Sequence, residues 1–223
     1  MKAVIMAAGE GSRMRSTCDA PAPSKLLLPI LGVPIIERVI LAAKKAGIRE
    51  FIVVTGYNGN ALRNHLQEGS KWGVHIRYAE NSQWEKGNAY SLFAARTCIN
   101  PGERFFLLMG DHIFDPALLR AFSEHIADKI KNIPESEAEQ IHFLAVDSRP
   151  REGLDIDEAT KVFQKDERIT ALGKKIGEFN GIDSGMFNFH YSIFDILEKE
   201  IENSDGSLSS ALQPVIGNGK LQA

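Results

Sequence analysis

Through the first two-thirds of the chain, continuously apolar runs alternate with stretches whose apolar residues recur every three to four positions. "KAVIMAA" (residues 2–8) is uninterrupted and rich in small and branched side chains, which predicts a strand buried on both faces. "VPIIERVILAAKKAGI" (33–48) places Ile35, Ile36, Val39, Ile40 and Ala43 on one face. With Pro34 in the first turn and Gly47 closing it, this stretch predicts an amphipathic helix. "EFIVVTG" (50–56) predicts a second strand, "NGNALRNHLQEG" (58–69) a short helix capped by Asn and ended by Gly, and "VHIRYAEN" (74–81) a third strand. "GNAYSLFAARTCI" (87–99) predicts a helix and "RFFLLMGD" (104–111) a fourth strand ending in an acid. "DPALLRAFSEHIADKI" (115–130) predicts a helix with Asp115 as N-cap and Pro116 at its first position.

Strands separated by helices at this spacing imply right-handed parallel crossovers. The expected fold is α/β: a single doubly wound, mostly parallel Rossmann-like sheet. Ligands in such sheets bind at the carboxyl ends of the strands. The loop after the first strand and Asp111 after the fourth therefore fall on the same edge.

The last third changes character. "KNIPESEAEQ" (131–140) reads as a polar connector and "IHFLAVD" (141–147) as a strand. "KVFQKDERITAL" (161–172) predicts a hairpin turning at Lys165 to Glu167, and "GIDSGMFNF" (181–189) a strand carrying a second acid. "YSIFDILEKEI" (191–201) and "SLSSALQPVIG" (207–217) predict helices. These short pieces form a smaller mixed β insertion on the main sheet, with no internal repeat or low-complexity segment.

Composition narrows the function class. The chain has 223 residues, 43% apolar and 25% charged, with a net charge of -3. That balance gives no reason to expect nucleic-acid binding, although a local basic pocket for phosphates is compatible with it. Cys18 and Cys98 fit no metal-ligand spacing and are expected to be free thiols in a reducing compartment. No apolar run is long enough to span a membrane and the N-terminus has no signal-peptide pattern, so a cytoplasmic protein that is not membrane-embedded is expected.

The loop "GEGSRM" opens on Gly9 and Gly11 and continues with Ser12 and Arg13. A dinucleotide turn needs a third glycine where Met14 stands, and a P-loop needs Gly-Lys-Ser/Thr where Gly11-Ser12-Arg13 stands. The remaining reading is a glycine cradle whose N–H groups surround phosphate oxygens, with Arg13 forking onto a polyphosphate and Lys25 adding a point charge. A structural turn with two solvated cations stays open from these residues alone.

Taken in order, "AAGEGSRM", "PSKLLLPILGVPIIERVI", "GDH" (110–112) and "DSGMF" (183–187) resemble nucleotidyltransferases acting on sugar-1-phosphates and related phosphates. Within that family, "KGNAYSL" and residues 157–189 look most like CTP:inositol-1-phosphate cytidylyltransferases, with phosphocholine cytidylyltransferases and sugar-1-phosphate enzymes as runners-up. The family usually joins Pro and Lys directly, whereas Ser24 stands between Pro23 and Lys25 here. The β-helix extension of longer sugar-nucleotide members and the membrane synthase domain fused in some inositol-phosphate members are expected to be absent.

The resemblance implies attack of an acceptor phosphate on the α-phosphate of CTP, releasing pyrophosphate. It implies Arg13 and Lys25 as catalytic cations, and Ala7, Ala8, Gly9, Gly11, Ser12, Gln83, Gly87 and Asn88 around the nucleotide. Asp111 and Asp183 would hold Mg²⁺, and Lys161 and Lys174 would meet the acceptor phosphate. By the same reading, residues 1–130 serve mainly the nucleotide and 140–223 mainly the acceptor. The implied partners are CTP and a phosphorylated polyol, a membrane synthase taking up the product, and a second copy of the chain, as in several relatives. Charge patterning alone leaves Lys161 and Lys174 equally readable as solvated hairpin charges, and Trp84 as a buried rather than stacking residue. A nucleotide-binding regulatory module is the non-enzyme alternative.

Overall fold

The computed structural model describes residues 1–11, 24–149, 153 and 155–223. Strand β1 (Lys2–Ala7) is an interior strand of one large sheet. It pairs in parallel with β4 (Glu50–Thr55) on one side and β6 (Arg104–Met109) on the other, and β4 pairs in parallel with β5 (His75–Glu80). Two short strands, β2 (Pro29–Ile30) and β3 (Val33–Pro34), form a separate ribbon. The remaining strands are β7 (His142–Asp147), β8 (Lys161–Lys165), β9 (Arg168–Gly173), β10 (Gly181–His190) and β11 (Leu221–Gln222). The full order is β5-β4-β1-β6-β10-β7-β11-β9-β8.

Alternate residues of each central strand feed opposite cores, as a sheet covered on both faces requires. Val4, Ile52, Val54 and Leu107 face one cluster, while Ile5, Phe51, Val53 and Leu108 face the other. Helices α1 (Ile35–Lys45) and α4 (Pro116–Ile130) close the second cluster with Ile36, Val39, Ile40, Leu119 and Phe122. The first is closed by α3 (Asn88–Ala94), α6 (Ile193–Glu200), α7 (Leu208–Ala211) and α8 (Gln213–Gly217), through Leu92, Phe194, Leu197, Leu208 and Val215. The doubly wound α/β arrangement is therefore the one expected. Antiparallel pairing enters with β10, which runs against β6, β7 and β8, and continues in the β8–β9 hairpin.

Local signals held where their chemistry is short-ranged. Asp115 Oδ1 accepts from Ala117 N at 2.8 Å and caps α4. The hairpin turns at Asp166 and Glu167, both with positive φ.

Four details differ from the expectation. Pro34 is the residue before α1, not its first turn. Asn58 precedes α2 (Gly59–Leu66) in a left-handed conformation and makes no side-chain cap. The predicted helix over 87–99 ends at Ala94 and restarts as a single 3₁₀ turn, Arg96–Cys98. The polar connector holds a one-turn helix, α5 (Glu135–Ala138), started by Pro134, whose carbonyl accepts from both Glu137 N and Ala138 N.

Candidate active site

The carboxyl ends of β1 and β6 and the start of β10 meet at one edge of the sheet. Lys25 opens a 3₁₀ turn, Lys25–Leu27, capped by Ser24, whose Oγ accepts from Leu26 N at 3.3 Å. The residue that interrupts the Pro-Lys pair is thus the cap that starts the lysine's turn. Gly11, at φ +69°, lets the loop pass over the lysine: a Cβ there would stand 2.6 Å from Lys25 Cδ.

Lys25 Nζ meets Asp111 Oδ2 at 2.5 Å, and His112 Nδ1 donates to Asp111 Oδ1 at 2.9 Å. Lys25 is 22% and Asp111 40% exposed in the side chain, so the pair adds at most about 1 kcal/mol of stability. Its importance lies in where it aims. The His112 hydrogen bond, with the Lys25 charge behind it, holds the Asp111 carboxyl well below the usual range against the opposing effect of burial.

Asp183 reaches the same edge from β10. The strand is irregular between Asp183 and Phe187, and within that bulge Gly185 N donates to Asp183 Oδ1 at 2.7 Å while Ser184 Oγ donates to Ala145 O at 2.7 Å. The imidazole of His112 packs onto the bulge, close enough that a Cβ on Gly185 would lie 2.7 Å from its Cδ2. Burial pushes the Asp183 carboxyl up to about 6, partly offset by the Gly185 N–H and by His112. His112 is therefore the link between the two predicted acids.

Two cavities open on this edge. The smaller, about 190 Å³, is lined by Ala7, Ala8, Gly9, Gly87 and Asn88 together with Lys25 and Asp111. Met6, Trp84, Ser91 and Met109 also line it. Trp84 is half-buried and edge-on to Tyr57 at 5.3 Å. The larger, about 630 Å³, is lined by Asp183, Lys174 and Asn88, and also by Thr160, Lys175, Asp205, Ser207, Ser209, Ser210 and Gln213. The two cavities share Asn88 and Met109.

The other candidates are placed differently. Gln83 is exposed and lines neither cavity; its backbone N donates to Asn81 Oδ1 at 2.9 Å. Lys161 lies outside the larger cavity, with its ammonium 5.6 Å from the Phe179 ring centre, although its neighbour Thr160 lines it. Lys174 pairs with Glu158 at 3.0 Å on the cavity wall. Ser12 and Arg13 lie outside the described residues, as does Cys18, while Cys98 is a free thiol. Sequence reasoning passed over the serines of 207–210 as cavity lining because serine before a helix reads first as a cap, and Ser207 does accept from Ser210 N at 3.2 Å.

Among the described residues no group of three or more His, Cys, Asp or Glu is arranged to hold a metal ion. Asp111, just past β6, and Asp183, on β10, line the two neighbouring cavities; carboxylates of this kind suit a hard cation that completes its shell with ligand oxygens.

Residues 3–172 match the family described as the MobA-like NTP transferase domain. The chain belongs to that family. The bifunctional IPC transferase and DIPP synthase of Thermococcus kodakarensis is 34% identical to this NTP transferase chain over 95% of its length, and that of Archaeoglobus fulgidus is 31% identical over 96%. Those alignments cover 43% and 38% of the two relatives, so the chain spans about two-fifths of their length. Among solved structures, the inositol-1-phosphate CTP transferase from T. maritima superposes with a TM-score of 0.77 at 28% identity, over 99% of this chain and 83% of that one. No helix among the described residues is long and apolar enough to cross a membrane.

Proposed function

We propose that this domain transfers a cytidylyl group from CTP to inositol-1-phosphate. The single observation that carries the reading is the meeting of two cavities at Asn88 and Met109, one holding Lys25 and Asp111, the other Asp183 and Lys174. Two anions must approach there, and each cavity offers a lysine. In the reaction, an oxygen of the acceptor phosphate forms a bond to the α-phosphorus. The bond from that phosphorus to the bridging oxygen breaks, and pyrophosphate leaves with the electron pair. The attacking phosphate is already ionised near neutral pH, so alignment and charge compensation account for the catalysis.

Lys25 would compensate the α-phosphate and Ala7, Ala8, Gly9, Gly87 and Asn88 would enclose the nucleotide, with Gly11, Ser12 and Arg13 on its phosphates. Asp111 and Asp183 would hold a divalent cation, Mg²⁺ in this proposal, which when bound supplies positive charge to the phosphate oxygens. Residues 1–130 would serve the nucleotide and 140–223 the acceptor, with Lys174 on its phosphate, in a cytoplasmic enzyme.

The larger cavity favours a polyol over choline. Its described lining offers hydroxyls, two amides, two carboxylates and two lysines, and Phe187 is its one aromatic, itself 1% exposed. A quaternary ammonium would want an aromatic cage.

The test is pyrophosphate release from CTP with inositol-1-phosphate or phosphocholine as acceptor. Inositol-1-phosphate should be faster by about tenfold or more, the range of a specific hydroxyl contact. A faster phosphocholine reaction overturns the acceptor. No release with any acceptor, alongside CTP binding, favours a regulatory module.

A further inference from the structure

Asn88 lines both cavities, and its side chain is already committed. Its Oδ1 accepts from Leu208 N at 2.6 Å, a contact between residues 120 apart in sequence. One residue on, Ala89 N donates to Gly206 O at 3.0 Å. The two backbones touch here. A Cβ on Gly87 would stand 2.2 Å from Gly206 O, and one on Gly206 would stand 1.7 Å from Lys86 O. No side chain fits at either position, so the start of α3, beside the nucleotide cleft, is fastened to the segment opening α7. That segment carries Asp205, Ser207 and Ser209 into the larger cavity. Its own bonds are local: Asp205 Oδ1 accepts from Ser207 N at 2.9 Å and from Ser207 Oγ at 2.6 Å. Nothing in those bonds places the segment relative to the cleft, whereas the joint at Asn88 does.

We propose that Asn88 is a positioning residue for the acceptor: through Leu208 it sets the hydroxyl-bearing wall, residues 205–209, at working distance from the nucleotide. Its side-chain oxygen is spent on Leu208, which lines the larger cavity, so it encloses the nucleotide by packing alone and its removal acts on acceptor binding before nucleotide binding. The proposal relies on the cytidylyltransferase reading only for its choice of substrates.

The first arm of the test needs no substrate. In the unliganded protein, Asn88→Ala is expected to speed amide hydrogen exchange at Leu208 and across 204–211, with the melting temperature nearly kept. Asn88→Asp retains an acceptor oxygen and is expected to keep Leu208 protected. Unchanged exchange in Asn88→Ala overturns the joint.

The second arm is kinetic. Asn88→Ala should raise KM for inositol-1-phosphate about tenfold, the worth of one hydrogen bond, and KM for CTP less than about threefold. Gly206→Ala would put a Cβ 1.7 Å from Lys86 O, so it forces the two backbones apart and should raise KM for inositol-1-phosphate further than Asn88→Ala does. Adding Asn88→Ala to it should cost little more, because both act on one joint. A loss carried mainly by KM for CTP, or additive losses, overturns the proposal. A wild-type enzyme that releases no pyrophosphate from these substrates overturns the proposed function instead, and the exchange arm still decides the joint.

Discussion

The two ends of β6 and β10 both concentrate polar groups, and they treat them in opposite ways. At the carboxyl end of β6, Lys25, Asp111 and His112 are bonded to one another and remain partly exposed. At the other end, Arg104 is bonded to Ala138 O, Ile141 O and Asn188 Oδ1, and His142 is fully buried. There, His142 Nδ1 accepts from His190 N at 3.3 Å, and His190 Nδ1 accepts from Ser192 N at 3.2 Å. Burial, with help from the Arg104 charge, pushes His142 down to about 3, and burial also lowers His190. One end keeps ionised groups paired with one another and open to solvent. The other spends its polar groups on backbone that the fold needs satisfied. Charge that can change partners is available for chemistry, and charge tied to carbonyls is structural.

That contrast can be broken most directly at Asp111. Asp111→Ala should cut kcat/KM by about 1,000-fold, the scale of losing a major electrostatic contact in a transition state, while thermal stability barely moves. Pyrophosphate release and a melting curve measure both, and near-normal turnover erases the functional side of the contrast.

The structural side is tested by acid. His142 is neutral in the folded protein and ordinary, near 6.5, when unfolded. The unfolded chain therefore gains a proton that the folded chain refuses as pH falls below 6.5, and stability declines through that window toward pH 3. By pH 4 the loss from this one group is on the order of 3 kcal/mol. Urea unfolding from pH 7 to 4 should show that decline, and His142→Phe should flatten it. An equal slope in the variant removes His142 from the explanation.

The smallest effect sharpens the functional end. Ser24→Ala removes a cap worth about 1 kcal/mol or less and loosens the turn that aims Lys25. KM for CTP should rise a few-fold, on the same energetic scale, and Ser24→Thr should restore it. An unchanged KM would mean that Asp111 alone aims the lysine.

Much of this was legible in the sequence, for identifiable reasons. The runs of β1, β4 and β6 are too apolar to lie anywhere but a covered sheet, β5 announces itself by alternation, and Asp115-Pro116 states a helix start in two residues. The strand-end acids stood out because each closes or interrupts an apolar run beside a glycine. The direction of β10 was not legible, since a period of two is the same read either way. The helix at Glu135–Ala138 has no apolar face to announce it. Gln83 sits in a stretch whose turn is set by Asn81, a bond no spacing rule encodes. The wall at 205–209 escaped notice because its serines carry a cap signal strong enough to explain them fully.

If the proposed nucleotide binds at Lys25, the 2.5 Å pair of Lys25 and Asp111 makes its arrival an exchange, not an addition. A phosphate that draws the ammonium toward itself leaves Asp111 Oδ2 facing an anion with nothing between them. Under the proposed function, a positive charge admitted in the same event would restore neutrality. Nucleotide and cation uptake would then be two halves of one equilibrium, each weak alone and each raising the other's occupancy.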